Sequence, residues 1–348
     1  MTEQKYCIKF DDVKDAASRI QGVAHRTPVL TSETIIPTTG KKYFFKVEAM
    51  QKTGSFKFRG ALNAVKTHLE SSPSRTSMHV VTHSSGNHAQ ALALAAKLAS
   101  TDSLPVSATI VMPLNAPLVK KRAVESYGAT IVEVANTNEA REEEADRIVA
   151  TTGAVFIHPS EDPRVIAGQG TTSLELVEQV REMAGKELDA VIIPVGGGGL
   201  ASGNIIALRG LLGQKVKIIL AEPSKLDDAK RSFTAGCLLK HSPDNNLDSV
   251  ADGLKTTLGE NTWPIVRDLV DDIFTVSEDE ILRATKLVWE RLKVCIEPSA
   301  GVGVAVAMGN DFNAKYTTES GIHNVGIILC GGNVDIIKIT AIMEERGL

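Results

Sequence analysis

Short β-branched runs recur along the chain, at Val80-Val81-Thr82 and over residues 108–112, 129–134, 154–157, 190–195, 217–221, 273–276 and 325–329. Such runs are too short for helices and read as strands buried on both faces. Between most of them apolar residues return at three- and four-residue spacing, over 90–98, 138–150, 171–183 and 280–292, which predicts helices with one apolar face. Ser277-Glu278-Asp279-Glu280 has the Ser and Glu of a capping box and marks the start of the last of these. Strands alternating with helices predict an α/β fold with mainly parallel sheets, because right-handed crossovers place helices on both faces.

Two turn-rich breaks, Ser71-Ser72-Pro73-Ser74-Arg75 and His158-Pro159-Ser160-Glu161-Asp162-Pro163, bracket a segment with enough strands for a lobe of its own. The expected organisation is a large domain from residues 1–78 and 156–348 and a small flexible domain from 79–155. A length of 348 residues agrees, at roughly 150 residues per domain. Lys and Arg number 38 against 42 Asp and Glu, a net charge of −4, which argues against a basic nucleic-acid-binding surface. With 43% hydrophobic and 23% charged residues, disorder over most of the chain is excluded. Cys7, Cys237, Cys295 and Cys330 form no C-x-x-C pair, so a reduced compartment is the simplest reading. The N-terminus lacks a basic-then-apolar leader and no run reaches 18 apolar residues, which predicts a cytoplasmic protein with no membrane contact.

Three features carry candidate chemistry. Residues 191–195 run as an apolar strand into Gly196-Gly197-Gly198-Gly199-Leu200-Ala201, so bare main-chain N–H groups open a helix and invite a phosphate. The same stretch fits a dinucleotide fingerprint, with Glu222 at the end of the next strand as its ribose partner, and a tight packing turn is the plainer alternative. In Lys52-Thr53-Gly54-Ser55-Phe56-Lys57-Phe58-Arg59-Gly60, Lys57 lies between two aromatics. Desolvation would lower its pKa and make it a nucleophile toward carbonyls; otherwise it is a surface lysine at a helix start. Finally, Thr82-His83-Ser84-Ser85-Gly86-Asn87-His88 hands a strand over to an alanine-rich helix through a polar turn that can bind a carboxylate or merely cap the helix.

These three features in this order resemble the fold-type II pyridoxal-phosphate enzymes of the tryptophan synthase β-subunit class, within them the eukaryotic serine racemases and, less closely, the threonine dehydratases. The resemblance runs from Thr27-Pro28-Val29-Leu30-Thr31 through Gly168-Gln169-Gly170-Thr171, Ala251-Asp252-Gly253 and Asn261-Thr262-Trp263-Pro264 to Gly331-Gly332-Asn333-Val334-Asp335. It implies two lobes, each with a mainly parallel sheet. Lys57 would be the Schiff-base lysine beside Phe56, Gly196, Gly197, Gly198 and Gly199 the phosphate cradle, and Asn87 a partner of the cofactor's phenolic oxygen. Ser84, Ser85, Asn87 and His88 would hold the substrate carboxylate, with Arg141 on the substrate side of the small lobe. Lys57 and Ser85 would form a two-base pair on opposite faces of the α-carbon, interconverting L- and D-serine, and loss of the β-hydroxyl would give pyruvate and ammonia.

Cys330 falls where the family places a neutral partner for the pyridine nitrogen; racemases of the family commonly carry serine there and metabolic serine dehydratases cysteine. Glu222, the Leu226 carbonyl and Asp228 match the family's Mg²⁺ or Ca²⁺ loop. Lys52, Thr53, Gln90, Lys120 and Tyr127 match an activating ATP site at the interface of a homodimer. A single Ser160 after His158-Pro159 favours serine over aspartate as substrate, and an end at Leu348 leaves no room for the regulatory domain of biosynthetic threonine dehydratases. The rivals are a dehydratase of threonine, L-serine or 3-hydroxyaspartate, an NAD-dependent oxidoreductase built on the Gly196 turn, and a non-catalytic nucleotide- or metal-binding module.

Overall fold

A computed structural model describes residues 5–36, 39–116, 118–241 and 247–348; the first four residues, read above for a leader, lie outside it. Among the described residues the strands are β1 (Val29–Thr31), β2 (Lys42–Val47), β3 (Met78–His83), β4 (Val106–Pro113), β5 (Thr130–Val134), β6 (Val155–Phe156), β7 (Ala190–Pro194), β8 (Lys217–Pro223), β9 (Asp272–Val276) and β10 (Asn324–Leu329). The helices are α1 (Phe10–Ile20), α2 (Lys57–Glu70), α3 (Asn87–Ala99), α4 (Leu118–Ser126), α5 (Asn138–Thr152), α6 (Pro163–Ala184), α7 (Gly199–Leu212), α8 (Asp228–Ala235), α9 (Trp263–Leu269), α10 (Glu278–Arg291), α11 (Pro298–Met308), α12 (Asn310–Lys315) and α13 (Ile336–Glu345).

Two sheets result, of order β1-β2-β10-β7-β8-β9 and β5-β4-β3-β6. Every pairing is parallel except that of the edge strand β1 with β2. Each predicted strand is present, as is each predicted helix, though α6 begins eight residues ahead of its expected start. The start of α6 is fixed by Asp162, whose side chain accepts from Arg164 N at 2.8 Å, with Pro163 in the first turn. The capping box of α10 forms, with Ser277 N donating to Glu280 Oε2 at 2.7 Å and Glu280 N to Ser277 Oγ at 3.4 Å.

The larger core fills both faces of the six-stranded sheet and a second packs α2 and α3 against the smaller one. Three helices cross at glycines: a Cβ on Gly168 in α6 would lie 2.6 Å from Gly60 Cα in α2, and one on Gly170 would lie 2.5 Å from the Gly203 carbonyl in α7. Only glycine lets these backbones meet, and the crossing sets where α2 and α7 begin. Below it Arg59, with no exposed surface, is bidentate to Glu48 (2.8 and 2.9 Å) and to Glu175 (2.7 and 2.8 Å). Lys46 donates to the same Glu175 at 2.6 Å, so two cations face two carboxylates inside the domain.

Candidate active site

Every candidate for cofactor chemistry lies at the carboxyl end of a parallel strand or beside one, where open α/β sheets place their sites. β3 ends in the turn of Ser84, Ser85 and Gly86, β6 leads into His158 and Pro159, β7 runs into the four glycines, and β10 leads into Cys330. Lys57 opens α2 next to this last strand, because Phe56 N donates to the Cys330 carbonyl at 3.1 Å. The Lys57 Nζ donates to the Pro159 carbonyl at 2.8 Å and lies 5.1 Å from the centre of the Phe56 ring. Burial lowers the Lys57 pKa to about 8, with Cys330 and Glu297 opposing the shift. A fraction of this amine is therefore neutral and nucleophilic near physiological pH.

The glycine turn is shaped for an anion. Gly198 caps α7 at φ +81° without a side-chain hydrogen bond, so the helix presents free N–H groups. A Cβ on Gly197 would lie 2.7 Å from Ser160 Oγ, and one on Gly198 2.7 Å from Thr262 Oγ1, so side chains there would fill the cradle. Thr262 Oγ1 lies 3.1 Å from the Gly197 carbonyl, to which it donates, and 3.0 Å from Glu161 Oε1; Glu161 Oε2 in turn accepts from Asn261 N at 2.7 Å.

On the β3 side, Ser84 Oγ accepts from Gly86 N at 3.3 Å and closes the turn, leaving Ser85 at its bend. Asn87 donates through Nδ2 to both oxygens of Glu297, at 3.0 and 3.1 Å, and its Oδ1 accepts from Asn333 Nδ2 at 2.8 Å. Three imidazoles line the same end. His88 is buried, its Nε2 3.4 Å from the Ile157 carbonyl, and burial together with Lys57 pushes it well below the usual range. His158 Nδ1 accepts from Ser160 N (3.1 Å) and Glu161 N (2.9 Å), and burial, with His83 and Lys57 nearby, lowers its pKa to about 4. Its ring meets that of His83 edge-on at 5.8 Å.

The sequence matches the family described as pyridoxal-phosphate dependent enzyme over residues 20–331. The chain belongs to this family. It is 48% identical over 335 residues to human serine racemase, covering 95% of this chain and 93% of that protein. The crystal structure of serine racemase from Dictyostelium discoideum aligns with a TM-score of 0.85 at 44% identity, over 95% of this chain and all of that one. The crystal structure of a threonine deaminase from the organism abbreviated T.th. aligns at 0.83 and 38% identity, over 94% and 99%.

The residues present fit the cofactor that the family is named for. Lys57 would offer the amine, the amides of Gly196 to Gly199 with Ser160 a phosphate cradle, and buried Cys330 a neutral thiol after β10. Burial, with Glu297 adding to it, holds that thiol well above its usual range. Ser55 Oγ, fully buried with no protein partner, adds a further unspent hydroxyl two residues before Lys57.

The remaining candidates fall elsewhere. Glu222 spends both carboxylate oxygens on main-chain donors, Ala229 N and Lys230 N, each at 2.9 Å, and so turns away from the role a dinucleotide fold would give it. Asp228 accepts from Leu258 N at 3.0 Å and has His241 Nδ1 at 3.4 Å, while Leu226 is buried in the single turn between the two acids. Burial, with Asp228 adding to it, pushes Glu222 well above the carboxylate range, and burial pushes Asp228 to about 6. Among the described residues no three His, Cys, Asp or Glu side chains converge as a ligand set. Two neighbouring carboxylates, with a main-chain carbonyl between them, are nonetheless a donor set for a hard cation.

Lys52 and Thr53 form a short 3₁₀ turn that packs on α3, which carries Gln90. Thr53, at φ 61°, is a β-branched residue in the left-handed region, and its carbonyl accepts from Asn333 Nδ2 at 2.7 Å. Lys120 on α4 bridges to Asp252 at 3.2 Å, and Tyr127 packs into the core of the smaller sheet. Arg141 is turned to its own helix start, donating to the Thr137 carbonyl at 3.1 Å and to Asn138, rather than into the cleft. Sequence reading gave no site role to Glu297, Asn333, Glu161, Thr262 or Pro159, which the structure places around these candidates; of them Asn333 and Thr262 stood in the motifs that carried the resemblance.

Proposed function

We propose that the chain interconverts L- and D-serine and also converts serine to pyruvate and ammonia. What supports this reading is a desolvated Lys57 held at the end of β10 beside Cys330, in a chain related along nearly its whole length to serine racemases. Bound pyridoxal phosphate supplies the electron sink that acidifies the α-proton of an amino acid. The glycine turn and Ser160 would hold its phosphate, and Asn87 and Cys330 would orient the ring. The Ser84-to-His88 turn receives the substrate carboxylate through the free N–H groups that open α3. With the cofactor bound, Lys57 Nζ would move the proton on one face of the α-carbon and Ser85 Oγ would move it on the other. Purified protein given pyridoxal phosphate and L-serine is expected to form D-serine and pyruvate together.

A dehydratase without useful racemisation is the second reading, favoured by Cys330 alone, since a thiol at that place is what the resemblance gives to serine dehydratases. Pyruvate without D-serine would select it. The same proposal assigns Mg²⁺ or Ca²⁺ to Glu222, Leu226 and Asp228, and ATP as an activator to Lys52, Thr53, Gln90, Lys120 and Tyr127. It further assigns a small domain of residues 79–155 that moves on substrate binding, a homodimer, and a cytoplasmic location. Among the described residues no helix is long and apolar enough to cross a membrane.

A further inference from the structure

Glu297 is a carboxylate that neither cofactor binding nor the two-base scheme uses, yet it lies at their centre. It is 3% exposed, and its two oxygens are the acceptors for Asn87 Nδ2. Its main chain and that of the Lys57 segment are pinned to adjacent residues of one strand end: Phe56 N to the Cys330 carbonyl at 3.1 Å, Glu297 N to the Gly331 carbonyl at 3.0 Å. A Cβ on Gly331 would lie 2.8 Å from Glu297 Oε1, so the glycine there keeps the carboxylate in place. Glu297 also caps α11, where the helix N-terminus favours a negative charge.

The charged groups around it come from four elements. Lys57 opens α2 and Cys330 follows β10, and both feel the Glu297 charge. Asp252, in the turn before α9, and Lys120, on α4, act on Glu297 in opposite senses, and the Asn333 main chain favours its charged form, as does the Asn87 amide that donates to it. Burial, with Asp252 adding to it, pushes Glu297 up to about 7 against these donors, so it changes charge in the working pH range.

We propose that Glu297 is a positioning residue of the Lys57 site: it aligns the Asn87 amide and serves as the buried counter-charge that keeps the nitrogen carried by Lys57 protonated. This rests on the pyridoxal-phosphate reading. Glu297→Gln keeps the shape and removes the charge, so the nitrogen that joins Lys57 to the cofactor holds its proton less tightly. Titrating the visible band of the lysine-bound cofactor against pH should give a midpoint lower by about one pH unit in Glu297→Gln, a tenfold loss in proton affinity. Glu297→Asp, which retains the charge, should restore part of it.

A midpoint that stays put in Glu297→Gln overturns the proposal, as does an equal shift in both variants, since a merely structural carboxylate would move stability and not this midpoint. Should Glu297→Gln fail to hold the cofactor, Asp252→Asn supplies the test. With a repelling charge gone, Glu297 ionises at lower pH, and the acid limb of kcat/KM for serine must move to lower pH with it; an unmoved limb overturns the proposal. Absence of the band in the wild-type protein would instead sink the cofactor reading itself.

Discussion

Lys57 owes its chemistry to where α2 begins. An ordinary lysine is protonated at neutral pH, and burial beside Phe56, with the Pro159 carbonyl as its hydrogen-bond acceptor, brings this one within reach of the free amine. Lys57→Ala is expected to abolish the bound-cofactor absorption together with both activities, measured on the same preparation. Ser85→Ala should remove racemisation while elimination from one serine enantiomer persists; equal loss of both reactions from both enantiomers would contradict the two-base scheme. His158 gives a pH prediction. Its folded pKa of about 4 lies below the usual 6.5, so the folded state binds fewer protons and its contribution to stability is present above about pH 6.5. That contribution is lost as pH falls toward 4, when Nδ1 must give up the Ser160 and Glu161 N–H groups. Thermal melts across this window should fall less steeply for His158→Asn than for the wild type. Lys57, Asn87 and the glycines could be named as candidates because each stands in a local motif. Glu297 was not, because it is 210 residues from Asn87 and its own neighbourhood reads only as a helix start before Pro298.

At the scale of elements, the site is held in register by contacts that lie well behind it. The glycine crossing of α2, α6 and α7 fixes two helix starts at once, one carrying Lys57 and the other following the glycine turn of residues 196–199. Gly168→Ala would force a Cβ to 2.6 Å from Gly60 Cα, with an expected cost of about 1–3 kcal/mol in urea unfolding and weaker cofactor retention. Arg59→Met leaves Glu48 without its counter-charge inside the domain and Glu175 with Lys46 alone, and losing one partner of a buried pair costs about 3–5 kcal/mol. The same denaturation curve checks it. Strands with β-branched runs and helices with a clear apolar stripe were readable from the sequence. The rest were hidden for physical reasons. The α11 segment Pro298–Met308 is buried almost throughout and has no polar face to set a period. In β2, Lys46 stands in an otherwise apolar stretch because its charge is met by Glu175 from a helix far along the chain. Both β2 and the short edge strand β1 therefore went unread.

For the whole molecule, the two sheets bring their carboxyl ends to a common site, and the Lys120–Asp252 ion pair, with α4 on one side and the turn before α9 on the other, spans the boundary between them. Two mainly parallel sheets flanked by helices were legible from the alternation of strand and helix runs. Which side chains meet across the boundary was not, since that depends on how the lobes dock. The cation assignment belongs at this scale as well, because Glu222 and Asp228 tie the end of β8 to the loop that carries Leu258. If a divalent ion holds these acids, a chelator should lower the melting temperature of the wild type and leave Asp228→Asn unmoved; equal melts with and without chelator would count against it. The central claim is tested most directly by recording the visible spectrum of the purified protein, adding L-serine, and assaying D-serine and pyruvate in the same mixture. A lysine-bound cofactor band followed by both products is the predicted result; a band with neither product, or no band after supplying pyridoxal phosphate, would contradict it.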